Sequence, residues 1–174
     1  MKRMMMLLLS LALTAGLLSA CGGSGDTGSG TESSDVDLTA LYNSWAEEYD
    51  WSEDAQSGGE NTLMMMNLEG DTLEGYYPGL EALATKQLVA KAPMISAVVN
   101  EVVLVQCETE EDAAKAAAIL QDRADAQAEG GAFYPESLET WGRATVLQQG
   151  TYVALIASSE HQEDLETSFN EQFA

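Results

Sequence analysis

The positions of apolar residues predict three main helices. The first follows Asp37, a good helix-capping residue, and repeats apolar residues three and four positions apart. The apolar side of this helix is formed by Leu38, Leu41, Tyr42 and Trp45. The longest helix begins after Thr109 and ends at Gly130, and its apolar stripe is mostly alanine. The last helix begins near Ser159, and Ser159 and Gln162 together resemble a capping box.

Short apolar runs between loop signals predict the strands. These runs lie at residues 62–67, 85–91, 97–107, 144–148 and 151–157. Gln149-Gly150 separates the last two runs, as the turn of a two-residue hairpin would. The helices are too few to connect a parallel sheet. The chain is therefore predicted to have an α+β fold, with a mostly antiparallel sheet of four to five strands and helices packed on it.

A single sheet–helix interface is expected to form the core. Val103 and Val105 lie two residues apart on the most apolar strand, so they share a face. Leu120 is the main large residue on the alanine stripe, and Phe169 lies on the last helix. We expect these four side chains to meet. Cys107 ends the same strand and is expected to be a buried, unpaired thiol that behaves as a small apolar residue.

The N-terminal segment has the parts of a secretory signal. Lys2 and Arg3 precede an apolar run over residues 4–18, which is too short for a stable membrane-spanning helix. Leu-Ser-Ala-Cys then ends at Cys21 and resembles a bacterial lipobox, in which the cysteine thiol is acylated and becomes the first residue after cleavage. The alternative is an ordinary secretory cleavage beside a chance cysteine.

This segment sets the expected domain organisation. Residues 1–20 are predicted to be a lipoprotein signal peptide, and residues 21–34 the lipidated Cys21 with a flexible tether rich in glycine and serine. Residues 35–174 are predicted to form one domain. Two lipid chains anchor a protein firmly, whereas one chain holds it only marginally.

Charge restricts the partners of the protein. The 174 residues include 29 acidic and 7 basic side chains, giving a net charge of −22, and cleavage before Cys21 would remove two bases and no acid, giving −24. No cluster of basic residues is available for nucleic acid, and the charge repels anionic lipid headgroups. No basic residue lies between Arg3 and Lys86, so this half of the chain favours a basic ligand or an envelope protein as partner.

Motifs for catalysis are absent from the sequence. It contains no nucleophile elbow and no glycine-rich nucleotide loop, and one histidine with two cysteines does not supply a zinc site. His161, the single histidine, is expected to be solvated on the last helix. We therefore predict no enzyme activity, no catalytic residue, no cofactor and no metal site, and we assign Cys21 as the site of lipidation.

Three local patterns leave alternatives open. An acidic cluster is either solvated surface or a weak site for divalent cations, and it comprises Glu47, Glu48, Asp50, Glu53 and Asp54. Tyr134 and Trp141 either pack on the sheet edge or form a platform for a sugar ring. Met64 to Met66 alternate between the faces of a strand, which favours core filling over a soft-metal site.

Several short motifs resemble a known family over residues 35–173. They are Asp35-Val36-Asp37-Leu38, Pro93-Met94 followed by Asn100-Glu101-Val102, Tyr134-Pro135 and Gly150-Thr151-Tyr152-Val153-Ala154-Leu155, in that order behind the lipobox and tether. The family is that of small surface lipoproteins of clostridial and related Gram-positive bacteria, whose domain has no known function. The resemblance implies a surface-anchored domain without an established activity, and it supplies no catalytic residues.

These observations predict a lipid-anchored extracytoplasmic protein on the outer face of the cytoplasmic membrane. We expect a non-enzymatic binding or interaction module of the cell envelope. The alternatives are a carboxylate-dependent envelope glycan hydrolase, which would need two carboxylates about 5–9.5 Å apart in a cleft, and an accessory lipoprotein of a transporter.

Overall fold

The structure is a computed structural model that describes residues 35–54, 56 and 58–174. The predicted signal peptide, Cys21 and the tether lie outside the described residues. In chain order the elements are α1 (Leu38–Glu48), β1 (Trp51–Ser52), β2 (Leu63–Asn67), α2 (Gly70–Tyr76), β3 (Thr85–Pro93), β4 (Asn100–Cys107), α3 (Glu110–Ala126), α4 (Pro135–Trp141), β5 (Thr145–Gln149), β6 (Tyr152–Ser158) and α5 (Gln162–Glu171).

The strands form one six-stranded sheet in the order β1-β2-β3-β4-β6-β5. β1 and β2 are parallel and every other neighbouring pair is antiparallel. The predicted α+β class with a mostly antiparallel sheet is confirmed, although the sheet has one strand more than expected. The additional strand, β1, has only two residues, which is too short to produce a recognisable hydrophobic pattern.

Several element boundaries differ from prediction, among them the end of β3 at Pro93 and the end of α3 at Ala126. β4 begins at Asn100 because the preceding residues form a turn. Gln149 pairs with Tyr152, so the hairpin turn is Gly150-Thr151, and the positive φ of +59° at Gly150 suits glycine. The predicted capping box of Ser159 and Gln162 is not formed: the N-cap of α5 is His161, and Gln162 Oε1 instead accepts from the Ser158 backbone N–H at 2.9 Å.

Helices cover both faces of the sheet, so the expected single interface is wrong. Val103, Val105 and Leu120 share one core, which is covered by α2, α3 and α4. Phe169 lies in a second core, on the opposite face, which is covered by α1 and α5. Because Val102 and Leu104 are apolar as well, the middle of β4, residues 102–105, is an unbroken apolar run, the pattern of a strand that is buried on both faces.

The two ends of β4 separate two regions of the molecule. At the Asn100 end lie the β3–β4 loop, residues 94–99, and the start of α5. At the Cys107 end lies Asp35, whose Oδ1 is 3.2 Å from the hydroxyl oxygen of Tyr152. Among the described residues, no helix is both long and apolar enough to cross a membrane.

Candidate functional site

A cleft of about 210 Å³ opens at the Asn100 end of the face covered by α3 and α4. We call it the Arg123 cleft. It lies between α3, α4 and the β3–β4 loop. The lining residues that matter for its chemistry are Tyr76, Glu101, Arg123, Phe133, Ser137 and Trp141.

A buried ion pair lies beside this cleft. Arg123 donates two hydrogen bonds to Glu101, from Nε to Oε1 and from Nη2 to Oε2, each at 3.0 Å. The hydroxyl of Tyr77 donates a third to Glu101 Oε1. Burial, followed by the charge of Glu101, raises the pKa of Tyr77 well above its usual range, so this hydroxyl remains a donor. Glu101, only 4% exposed, is thus a compensated carboxylate rather than a free base.

Aromatic rings hold Arg123 in place. Its guanidinium lies 4.5 Å from the centre of the Tyr76 ring and 5.3 Å from that of Trp141. Both contacts have the geometry of cation–π interactions. Ser137 is 4% exposed and also lines the cleft. The cleft therefore combines a neutralised ion pair with an uncharged hydroxyl.

Large exposed apolar residues lie on the two loops that border the Arg123 cleft, and Met94, Ile95, Phe133 and Tyr134 together are called the apolar end below. Phe133 also lines this cleft, whereas Ile95 lines the second cleft, which is described below. Phe133 is the extreme case at 87% exposed. Residues 92–100 contain no charged side chain, although the whole chain carries a net charge of −22. An exposed apolar patch on a strongly charged protein is typical of an interaction site.

The structure separates the predicted aromatic pair. Trp141 is buried beside Arg123, whereas Tyr134 is exposed and packs edge-on against Phe133 with ring centres 5.1 Å apart. The sugar platform of Tyr134 and Trp141 is therefore not formed. Sequence reasoning missed Phe133 and Arg123 as site residues. The signal for the ion pair was Glu101 itself, a charged residue inside an apolar strand.

A second cleft, of about 290 Å³, opens at the same end of the sheet on the other face. We call it the His161 cleft. The imidazole of His161 stacks on the ring of Tyr49 at 4.0 Å, and Trp51 completes the aromatic cluster. His161 is thus half-buried rather than fully solvated as expected. The contact was not predictable because its two residues lie far apart in the chain.

Negative charge surrounds the aromatic residues of the His161 cleft. Glu60 and Glu160 line it, and Glu160 Oε2 lies 3.8 Å from His161 Nε2. Burial raises the pKa of Tyr49, and the carboxylates of Glu48 and Asp164 raise it further. None of the described residues that line it is a lysine or an arginine. The cleft is therefore suited to positive rather than negative groups.

Asn100 lies between the two clefts and lines both. Its side chain is buried, and Nδ2 faces the sulfur of Met65 at 3.7 Å. Its Oδ1 accepts no hydrogen bond from the described residues. Exchanging the amide atoms would place the carbonyl oxygen against the sulfur lone pairs, so the present orientation is the better one. An unpaired buried carbonyl is costly unless another group donates to it.

The other candidate residues contribute structure. Glu53 pairs with Lys91, which also lies 5.2 Å above the Tyr42 ring. Within the described part of the chain, no three His, Cys, Asp or Glu residues are arranged to hold a metal ion, so the acidic cluster does not converge there. Met65 and Met66 pack on opposite faces, which confirms core filling. Cys107 is confirmed as a buried free thiol, and burial raises its pKa.

Comparison with known proteins identifies a family but no activity. The chain matches the family model of DUF4358, a domain of unknown function, over residues 57–158. Neither the curated proteins nor the solved structures contain a match. The matched segment includes the six residues named for the Arg123 cleft, whereas Tyr49 and His161 lie outside it. The expected relation to a domain of unknown function is confirmed, and the chain belongs to the DUF4358 family.

Proposed function

We propose that this protein is a lipid-anchored binding module of the cell envelope. In this proposal Cys21 carries the lipid on the outer face of the cytoplasmic membrane, as in the small Gram-positive surface lipoproteins that the chain resembles. The apolar end binds a partner protein, and the domain has no enzyme activity of its own. The observation that carries the proposal is the exposed apolar end around the Arg123 cleft.

The chemistry of this end supports a protein partner. Methionine, aromatic residues and arginine are enriched in protein interfaces, and all three types occur here. The cleft volume of about 210 Å³ is below the range of roughly 300–1,000 Å³ typical of pockets for drug-sized ligands, which favours a single inserted side chain. The negative charge of the chain favours a partner segment with an uncharged anchor residue and Lys or Arg around it.

The arrangement of carboxylates favours binding over hydrolysis. Glycoside hydrolysis generally requires two carboxyl groups, one of which must gain or lose a proton. Among the described residues, Glu101 is the one acidic residue that lines the Arg123 cleft, and Arg123 and Tyr77 already occupy both its oxygens. We therefore expect no release of soluble sugars when the protein is incubated with purified envelope glycans.

Asp35 and the apolar end lie at opposite ends of the described domain. The chain enters the described domain at the Cys107 end of the sheet, where Tyr152 contacts Asp35. β4 contains eight residues and spans about 23 Å, at about 3.3 Å per residue. The apolar end is thus separated from Asp35 by about the length of this strand.

Site-specific photocrosslinking tests the proposed interface in native membranes. A photoreactive amino acid is placed at Phe133 or Met94, and at Glu171 as a control that lies at the opposite end of the molecule, next to Gln172, which lies near Asp35. We expect a discrete protein adduct from the first two positions and none from Glu171. Mass spectrometry should map the adduct to a partner segment with an uncharged residue flanked by Lys or Arg.

Four results would overturn the proposed interface. A glycan adduct at Phe133 would favour the envelope-hydrolase alternative, and a lipid adduct would indicate a membrane-binding surface. The same adduct from Glu171 would show non-specific proximity. The absence of any adduct from Phe133 and Met94 would show that the apolar end has no partner.

The anchor is tested separately. Cells that express the protein are labelled with a palmitate analogue, and wild type is compared with Cys21→Ser. We expect label in the wild type and an unlabelled, uncleaved precursor in the variant. Cys107→Ser is the matched control and should still be labelled, because Cys107 is buried in the folded domain. Label that persists in Cys21→Ser would contradict the lipid anchor.

A further inference from the structure

We propose that the His161 cleft binds an organic cation that has N–H groups, such as a primary ammonium. The ligand is either a small free amine or the side chain of a lysine. This site lies on the other face of the sheet from the Arg123 cleft, and it does not depend on the function proposed for the apolar end.

The electrostatics of the cleft favour a cation. Glu60 and Glu160 contribute carboxylates to its lining, and the part of the lining that the structure describes includes no lysine or arginine. Clefts lined by one sign of charge concentrate ligands of the opposite sign. The net charge of −22 on the whole chain acts in the same direction.

The aromatic residues provide the second part of the site. The ring centres of Tyr49 and Trp51 are 5.6 Å apart. The imidazole of His161 stacks on the Tyr49 ring, with ring centres 4.0 Å apart. Ammonium groups bind favourably near the rings of tryptophan and tyrosine through cation–π attraction. Carboxylates and aromatic rings together are the usual surroundings of a bound ammonium group in proteins.

Asn100 provides the observation that points to an N–H donor. This residue lines both clefts, but its side chain, only 2% exposed, faces Met65, which packs in the core on the His161 side of the sheet. Its Oδ1 has no partner among the described residues. A ligand N–H would satisfy this carbonyl. A quaternary ammonium can interact with the carboxylates and the aromatic rings, but it has no N–H group to donate to Asn100. It should therefore bind more weakly than a primary ammonium.

Calorimetric titration of the full chain in detergent tests the site. The probes are putrescine, N-acetyl-lysinamide and tetramethylammonium, which lacks N–H groups. We expect saturable binding of at least one of the first two, and weaker binding of tetramethylammonium by about 10- to 100-fold, the value of a hydrogen bond to a charged group. Tighter binding of putrescine would indicate a free amine as ligand, and tighter binding of N-acetyl-lysinamide a lysine side chain.

Paired variants distinguish binding in the His161 cleft from general attraction to the negative charge of the protein. Glu160→Gln and Glu81→Gln each remove one exposed negative charge, but Glu81 does not line this cleft. We expect Glu160→Gln to weaken binding by about two- to fivefold and Glu81→Gln to leave it nearly unchanged. Asn100→Leu should reduce affinity for the N–H probe by about 10- to 100-fold without lowering the unfolding midpoint, because it removes an unpaired polar group.

Three results would overturn the proposed site. One is the absence of saturable binding for all three probes. The second is equal weakening by Glu160→Gln and Glu81→Gln, which would show attraction to the overall charge only. The third is equal affinity for putrescine and tetramethylammonium, which would remove Asn100 from the site. None of these results would affect the crosslinking expected at Phe133.

Discussion

On one face of the sheet α3 places alanines against the strands, whereas on the other face α1 and α5 contribute tryptophan, tyrosine and phenylalanine. Ala113, Ala116 and Ala124 are buried on the first face, and Trp45 and Phe169 on the second. Small residues let the helix backbone lie close to the sheet, while large side chains fill a wider gap. The first face should therefore be most sensitive to added volume, and the second to lost volume.

The ion pairs of the two faces differ as well. Glu101 and Arg123 are both largely buried, and rings flank the guanidinium. On the other face Lys91 is buried, but the side chain of its partner Glu53 is 47% exposed. Water can hydrate Glu53 if the pair is broken, whereas it cannot easily reach Glu101. The cost of breaking a pair should thus depend on the face to which it belongs.

The largest expected effect is the loss of core volume from both faces at once. Phe169→Ala should cost about 3–5 kcal/mol and Leu120→Ala about 2–5 kcal/mol, since each removes a fully buried side chain. Because the two residues lie in different cores, the costs should add to within about 0.5 kcal/mol. Denaturant unfolding of the full chain measures each variant and the double variant.

A smaller truncation keeps this test possible if the double variant is unfolded. Phe169→Leu should cost about 1 kcal/mol and can be combined with Leu120→Ala. Val103→Ala provides the comparison within one core, because Val103 and Leu120 share it. A coupling larger between Leu120 and Phe169 than between Leu120 and Val103 would contradict the two separate cores.

Breaking the ion pair on each face should show that the two pairs contribute differently to stability. Arg123→Met should lower the free energy of unfolding by about 3–5 kcal/mol, because it leaves the carboxylate of Glu101 buried without its cation. Lys91→Met should cost clearly less, since Glu53 can turn to water. Urea midpoints of the two variants provide the measurement. Equal losses would mean that exposure of the remaining partner does not decide the cost.

Added volume should affect the alanine face more than the solvent side of the same helix. Ala116→Leu introduces a large side chain where α3 lies against the sheet, and it should cost about 1–3 kcal/mol or more. Ala118→Leu makes the same change at an exposed position of α3 and should lie within about 0.5 kcal/mol of wild type. Similar denaturant midpoints for the two variants would show that α3 does not pack tightly.

Local signals in the sequence were sufficient for the helices and most strands. Asp37 caps α1 by accepting from the backbone N–H of Ala40, and Thr109 caps α3 by accepting from that of Asp112, as the sequence predicted. The side of the sheet on which Phe169 packs was not predictable in this way. Both faces of β4 are apolar, so the pattern alone did not assign α5 to either one.

The candidate sites depend on contacts that no local pattern encodes. Glu101 and Arg123 meet because β4 and α3 are adjacent in the fold, and Tyr49 meets His161 because α1 and α5 cover the same face. Glu101 could be recognised as unusual in an apolar strand, but its partner could not be identified. Asn100 lies next to it and gave no sign in the sequence that its carbonyl would be unpaired.

The smallest expected effect tests the start of α3, outside both cores. Glu110 lies exposed in the first turn, where its charge favours the positive end of the helix dipole by about 0.3–1 kcal/mol. The same charge adds to the repulsion within a chain of net charge −22, and this opposes the benefit. Glu110→Ala should therefore change the free energy of unfolding by less than about 1 kcal/mol.

The neighbouring cap provides the control for that measurement. Thr109→Ala removes the side chain that accepts from the Asp112 backbone N–H, and it should cost about 0.5–2 kcal/mol. Salt distinguishes the two variants, because roughly 0.5 M NaCl reduces the Debye length to a few Å and screens exposed charges but not a hydrogen bond. The effect of Glu110→Ala should shrink with salt while that of Thr109→Ala persists. A loss from Glu110→Ala as large as that from Leu120→Ala would mean that charge at the helix end, rather than packing against the sheet, stabilises α3.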